Sequence, residues 1–284
     1  MNKQKIALLV DSGSDVPKDL VKEYNMYVAP LNIIYKEREY IDGVEISSDE
    51  VYARLEEEIP TTSLPTGEAI QAIFDQIKKD GYEKVLAVTI SSGLSGTYNM
   101  IRMVGELQDD LEVFVLDSKN ISIASGFNAI QAAEYIKEGM DWNTLKETVS
   151  KNIFNSKVYF YVSTLKYLQK GGRIGLVASI LGSGINLKPI ISCNDDGIYY
   201  TKAKTIGESR ALNKTIKLAV DHIGDSKDYN IGVVHANAAK KADRIFKRLL
   251  KKLPNPKLSI TGEISAALGV HTGPDSIGIV VQKL

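Results

Sequence analysis

"VTISSGLSGTYNM", residues 88–100, opens as a buried strand, turns polar and glycine-rich, and then reads as the start of a helix. A strand handing over to a helix through a short Ser/Gly turn is the repeating unit of a layered α/β fold. The unit recurs on both sides. Upstream, "KIALLVD" (5–11) is a strand followed by "SGSDVPKDLVKEY" (12–24), with Pro17 near the helix start, where it is tolerated. Downstream, "EVFVLD" (112–117) leads into the helical "SIASGFNAIQAAEYIKEG" (122–139). Strands spaced by helices of this length predict parallel pairing. The stretch "MYVAPLNIIY" (26–35) is extended, with a bend or edge at Pro30.

The character changes near "VYFYVS" (158–163). After it come an apolar, glycine-rich stretch, two strands joined at "NDDG" (194–197, a hairpin signal), a long helix, and strand signals at 229–236, 257–264 and 276–284. The reading is therefore a two-domain α/β protein. Residues 1–163 form an N-terminal domain with a parallel sheet, and residues 164–284 form a mixed α/β C-terminal domain.

Composition narrows the classes. Lys+Arg and Asp+Glu are both 35 in 284 residues, so the basic excess usual in nucleic-acid binders is absent. Cys193 is the only cysteine, and His222, His235 and His271 lie far apart, which argues against an intrachain disulfide or a zinc site. No stretch approaches the roughly 20 apolar residues of a membrane span. The apolar run before Asp11 is too short for a signal-peptide core. The expectation is a cytoplasmic protein with no metal or cofactor.

Ligands of parallel α/β sheets collect beyond the carboxyl ends of the strands. The loops "DSGSD" (11–15) and "SSGLSGT" (91–97) should share that edge, and "IPTTSLPTG" (59–67) is a third hydroxyl-rich loop. Free N–H groups at helix starts, joined by the hydroxyls of Thr62, Ser92 and Ser95, favour an anionic oxygen. The plainer reading is that these residues cap helices and make turns. A phosphate would want the GxxxxGK[ST] pattern or a basic side chain, and "SSGLSGT" has neither, so a singly charged carboxylate suits the loop better. The hydrolase pattern GxSxG is also missing, because Thr97 stands where its last glycine belongs. His271 lies in "GVHTGPDS", read as a tight loop between an apolar helix and the last strand.

Five motifs occur in order over residues 8–274: "LVDSGSDVP", "TTSLP", "SSGLSGTYN", "YVSTLKYLQKGGRI" and "GVHTGP". Together they resemble the DegV family of fatty-acid-binding proteins that serve bacterial fatty acid kinase. The resemblance implies a two-domain α/β fold enclosing one long-chain, palmitate-like fatty acid, with no nucleotide site and no catalysis of its own. A separate ATP-dependent kinase subunit would convert the bound acid to acyl phosphate for phospholipid synthesis. Carried onto this chain, Thr62 and Ser95 hold the carboxylate with Ser63 and Ser92 close by, and His271 and Thr272 lie near it. Arg173 and Lys204 are candidates for head-group or kinase docking. Ile180, Leu181 and Ile185 are candidates for lining the acyl chain. Two departures stand out: Asp275 follows Gly273 and Pro274 where the family often has glycine, and Lys204 occupies the place of a frequent arginine.

The basic helix at 240–253 is read as a solvated face, with kinase docking as the other option. Competing functions are a serine hydrolase using Ser95, His271 and Asp11, and a sensor of phosphorylated metabolites.

Overall fold

The computed structural model describes residues 2–182 and 187–284. Its strands are β1 (Ile6–Asp11), β2 (Tyr27–Ala29), β3 (Asn32–Ile34), β4 (Glu39–Ile41), β5 (Thr61–Ser63), β6 (Lys84–Thr89), β7 (Glu112–Asp117), β8 (Ser156–Tyr161), β9 (Leu187–Cys193), β10 (Tyr199–Ile206), β11 (Tyr229–Ala236), β12 (Leu258–Glu263) and β13 (Ser276–Lys283). The helices are α1 (Lys18–Glu23), α2 (Ser48–Arg54), α3 (Gly67–Lys79), α4 (Thr97–Gly105), α5 (Ile123–Lys137), α6 (Trp142–Asn152), α7 (Lys166–Lys170), α8 (Glu208–Ile223), α9 (Ala239–Leu250) and α10 (Ala266–Thr272).

Three sheets organise them. The first is parallel, in the order β2-β1-β6-β7, as the alternation of strand and helix requires. The second is mixed and six-stranded, β10-β9-β8-β13-β11-β12. The third is a small antiparallel sheet, β4-β3-β5.

Helix α5 lies between the two large sheets and touches β1 and β6 on one side, β8 and β13 on the other. Its sequence is apolar nearly all round, which is what burial on both faces demands. Phe127 and Ile123 of this helix join Leu8 and Val88 of the parallel sheet and Val158 and Val280 of the mixed sheet in one core. A second core fills the opposite face of the mixed sheet under α8 and α9, and a third fills the opposite face of the parallel sheet under α3 and α4. In α9, Ala242, Ile245 and Leu249 face the core while Lys240, Arg244, Lys247 and Arg248 are exposed.

The structure departs from the sequence reading in three places. Strand β8 pairs with β13 and β9, so the change of sheet precedes residue 156 instead of falling at 163/164. The segment read as the third hydroxyl-rich loop contains β5, whose Thr62 pairs with Ile33 of β3. His271 belongs to the last turn of α10, and the loop begins only at Gly273. No described helix is long and apolar enough to cross a membrane.

Candidate functional site

Helix α10 carries His271, and the N-terminal region holds this helix in place. The backbone N–H of Ser265 donates to Asp15 Oδ1 at 2.8 Å, and that of Ala267 donates to Asp42 Oδ1 at 3.3 Å. Ser12 Oγ donates to the other oxygen of Asp42 at 2.6 Å. Carboxylates suit the first turn of a helix, whose N–H groups lack partners. Asp42 is buried and Asp15 half-buried, and desolvation pushes Asp15 up to about 7 and raises Asp42 as well.

At the other end of α10 the His271 ring rests on the Cα of Gly171. A Cβ at that position would lie 2.0 Å from His271 Nδ1, so only glycine fits beneath the ring. His271 Nε2 is 2.7 Å from Thr62 Oγ1. Nδ1 is buried with no hydrogen-bond partner among the described residues. An unpaired buried N–H costs more than an unpaired acceptor, which favours the tautomer with hydrogen on Nε2. Nε2–H then donates to Thr62, and the threonine hydroxyl hydrogen is left to point at a ligand. Burial, aided by the nearby Arg173 charge, lowers the His271 pKa to about 3, so the ring is neutral at physiological pH.

Ser95 comes from the turn between β6 and α4. Its Oγ accepts from the Thr97 backbone N–H at 3.3 Å and lies 2.8 Å from Thr97 Oγ1. If the buried Thr97 hydroxyl donates to Ser95, the Ser95 hydrogen is free as well. The 91–97 turn is braced from outside by the β9–β10 hairpin. Gly197, at φ +77°, sits where a Cβ would meet Ser91 Oγ at 1.8 Å. Arg173 reaches the same place: Nε donates to Leu94 O at 3.3 Å and Nη1 to Gly171 O at 2.8 Å, and its other N–H groups have no partner among the described residues.

These side chains surround one cavity of about 40 Å³, lined by Thr62, Ser63, Ser95, Arg173 and His271, with Leu31, Ile90, Leu94, Ile121, Tyr199, Ala267 and Leu268 completing it. Both halves of the chain contribute, and so do all three sheets or their flanking loops. The chemistry is that of an anion seat with an apolar back: two neutral alcohol donors, a guanidinium, and no carboxylate in the lining.

Not every residue read from the sequence arrives there. Ser92 is half-buried and receives Lys119 Nζ at 3.4 Å, outside the lining. Thr272 turns its hydroxyl back to Leu268 O at 3.3 Å and faces a different void. Ser63 lines the cavity while its hydroxyl donates to Glu39 at 3.2 Å. Lys204 is exposed on the edge strand β10, away from the cavity. Ile180 is buried in the core and Leu181 is 43% exposed, and neither lines a void. Ile185 lies outside the described residues. The apolar lining comes from Leu31, Ile90, Leu94, Ile121, Tyr199, Ala267 and Leu268, of which Ile121, Tyr199 and Leu268 sit in no quoted motif.

The hydrolase arrangement does not assemble. The hydroxyl bonded to His271 is that of Thr62, not Ser95. Asp11 bonds Ile90 N and Ser14 Oγ at the end of β1, and no carboxylate meets His271 Nδ1.

A family model describing uncharacterised proteins of the DegV family matches residues 5–284. The chain belongs to the DegV family. A DegV domain-containing protein of Clostridium acetobutylicum is 42% identical over 280 residues, with 99% of each chain covered. Among solved structures, DegV of Bacillus subtilis, a fatty acid binding protein, superposes with a TM-score of 0.90 at 26% identity over the whole of both chains. A DegV family protein from Thermus thermophilus, solved for its fatty acid binding, superposes at 0.91, also at 26% identity and full coverage. The DegV relatives therefore share this α/β architecture from end to end.

Proposed function

We propose that this DegV protein binds a long-chain fatty acid, with the carboxylate held by Thr62 and Ser95, and presents it to a separate ATP-dependent fatty acid kinase for acyl-phosphate formation. The observation that carries the reading is the convergence of Thr62, Ser95, His271 and Arg173 on one cavity with an otherwise apolar lining. The fatty acid binding of the Bacillus and Thermus relatives supports the ligand class. The kinase step rests on the motif resemblance, and on a sequence with no phosphate-binding GxxxxGK[ST] loop of its own.

Energetically the tail supplies affinity and the head supplies orientation. Burying a chain of about 16 carbons is worth up to about 12 kcal/mol gross, at about 0.8 kcal/mol per methylene. A carboxylate loses hydration on entry, and the alcohols and Arg173 replace it. With the side chains as they stand, the head cavity and its inner neighbour measure about 40 and about 30 Å³, far below the several hundred of a typical ligand pocket. Tail entry therefore requires Ile121, Tyr199 and Leu268, which border both voids, to move apart.

Mass spectrometry of the full chain purified from cells, first native and then denatured, tests the reading. Release of one fatty acid per chain is the expected result. A chain that releases none, and takes up none when long-chain fatty acids are added, overturns it.

A further inference from the structure

Beyond the head cavity the interior continues. The inner void of about 30 Å³ shares Ile121, Tyr199 and Leu268 with the head cavity. Val234 and Ile264 border it but not the head cavity, and the same two residues line a cleft of about 790 Å³. That cleft, the largest described, runs between the segment 42–50 and the edge strand β12. None of the alcohol or histidine groups of the head cavity reaches it. Its lining mixes aliphatic side chains, Val16, Val21, Val28, Val44 and Ile260 among them, with acidic ones such as Asp15, Asp42, Glu50 and Glu263. Val234 and Ile264 are thus the two side chains common to the inner void and the cleft. Gly278 of β13 keeps the space on the void side of Val234: a Cβ there would lie 2.8 Å from Val234 Cγ2.

We propose that Val234 and Ile264 are the specificity-determining residues for acyl length: they form the wall against which the methyl end of the ligand stops. The proposal deepens the fatty-acid reading and rests on it. Chains that fit between the alcohols and the wall are retained. Longer ones must either buckle inside a close-packed core or push the wall aside, and both are unfavourable. Cutting the wall back would open the inner void toward the cleft and lengthen the space available to the tail.

The full-length chain, stripped of lipid, is offered an equimolar mixture of straight-chain fatty acids of about 12 to 24 carbons, and the bound species are weighed after denaturation. In the doubly truncated V234A/I264A chain the bound distribution should move to longer acids by roughly two carbons or more, since the two changes remove about that depth of wall. Val234→Phe should move it to shorter ones. If the double variant does not fold, Ile264→Val and Val234→Phe decide, each checked by its thermal unfolding. Folded variants with the wild-type length profile would overturn the wall while leaving fatty-acid binding intact. A wild-type chain that binds none of the mixture would overturn the fatty-acid reading, and the wall with it.

Discussion

Up to residue 155 the chain carries 26 acidic and 15 basic side chains, and from residue 156 onward it carries 9 acidic and 20 basic ones. A formal net charge of zero thus conceals halves of −11 and +11. The halves also differ in architecture. The first holds the parallel sheet and the small antiparallel one, which offer neutral alcohols from the 91–97 turn and from β5, and the second is a mixed sheet that brings Arg173, Tyr199 and His271 against them. The anion seat exists only where the two meet. The acidic half is suited to hold a carboxylate because it places hydroxyls, not carboxylates, in the lining. The basic half supplies the one cation. Where charges of both signs are this far segregated, field and contact can be tested separately.

The largest effect expected is from Gly171→Val. Its Cβ would overlap His271 Nδ1, forcing the ring away from Thr62. Fatty acid retention should fall by about 100-fold or more, with a stability loss of about 2 kcal/mol or more, as strain in a packed site implies. Isothermal titration and thermal unfolding measure the two. Wild-type retention in this variant would mean that the His271–Thr62 contact does not hold the seat together.

Next come the alcohols. Thr62→Ala or Ser95→Ala should each weaken binding about 10- to 100-fold, the value of a hydrogen bond to a charged group. Ser92→Ala and Thr272→Ala should change it by less than about 3-fold, because those hydroxyls are committed to Lys119 and Leu268. Equal losses in all four would break the assignment of the seat.

A pH-dependent effect on stability concerns Asp15, which ties α10 to the N-terminal half. Folded, its carboxyl keeps the proton up to about pH 7; unfolded, it releases it near 3.8. Folding therefore takes up a proton in that window. The stability from this group is fully present below about 3.8 and is lost as pH rises to about 7. Asp15→Asn cannot ionise, so its stability should rise relative to wild type across the window, by at most about 1.4 kcal/mol per pH unit. Urea unfolding at pH 4.5, 6 and 7.5 checks the sign. A parallel pair of curves would mean that Asp15 is ionised in the fold.

The smallest effect belongs to the exposed surface. Lys204→Glu on the edge strand should lower acyl-phosphate output with a fatty acid kinase by about 3-fold at low salt and less at high salt, with fatty acid retention unchanged. Output insensitive to both charge and salt would detach the basic half from kinase docking.

What was legible in the sequence follows from locality. The strand-to-helix turn at 88–100, the hairpin at 194–197 and the bend at Pro30 are decided by residues close in the chain, and each is where the periodicity and the glycines put it. The three-residue strands β3, β4 and β5 are too short to show alternation, so Thr62 read as loop. Strand β8 looked like the end of one domain because only its pairing with β13, more than a hundred residues on, says otherwise. The placing of His271 on a helix turned on Gly273 ending α10, not on the histidine's own neighbours.

By itself the sequence determined the layered α/β class, the hydroxyl-rich loops and the family, because short-range backbone chemistry and ordered motifs carry that information. Only the tertiary structure decided which hydroxyls face the cavity, that Thr62 meets a histidine 209 residues away, and that Val234 and Ile264 stand between the interior and the cleft. Those facts depend on packing between sheets, and packing is set by distances that no local pattern encodes.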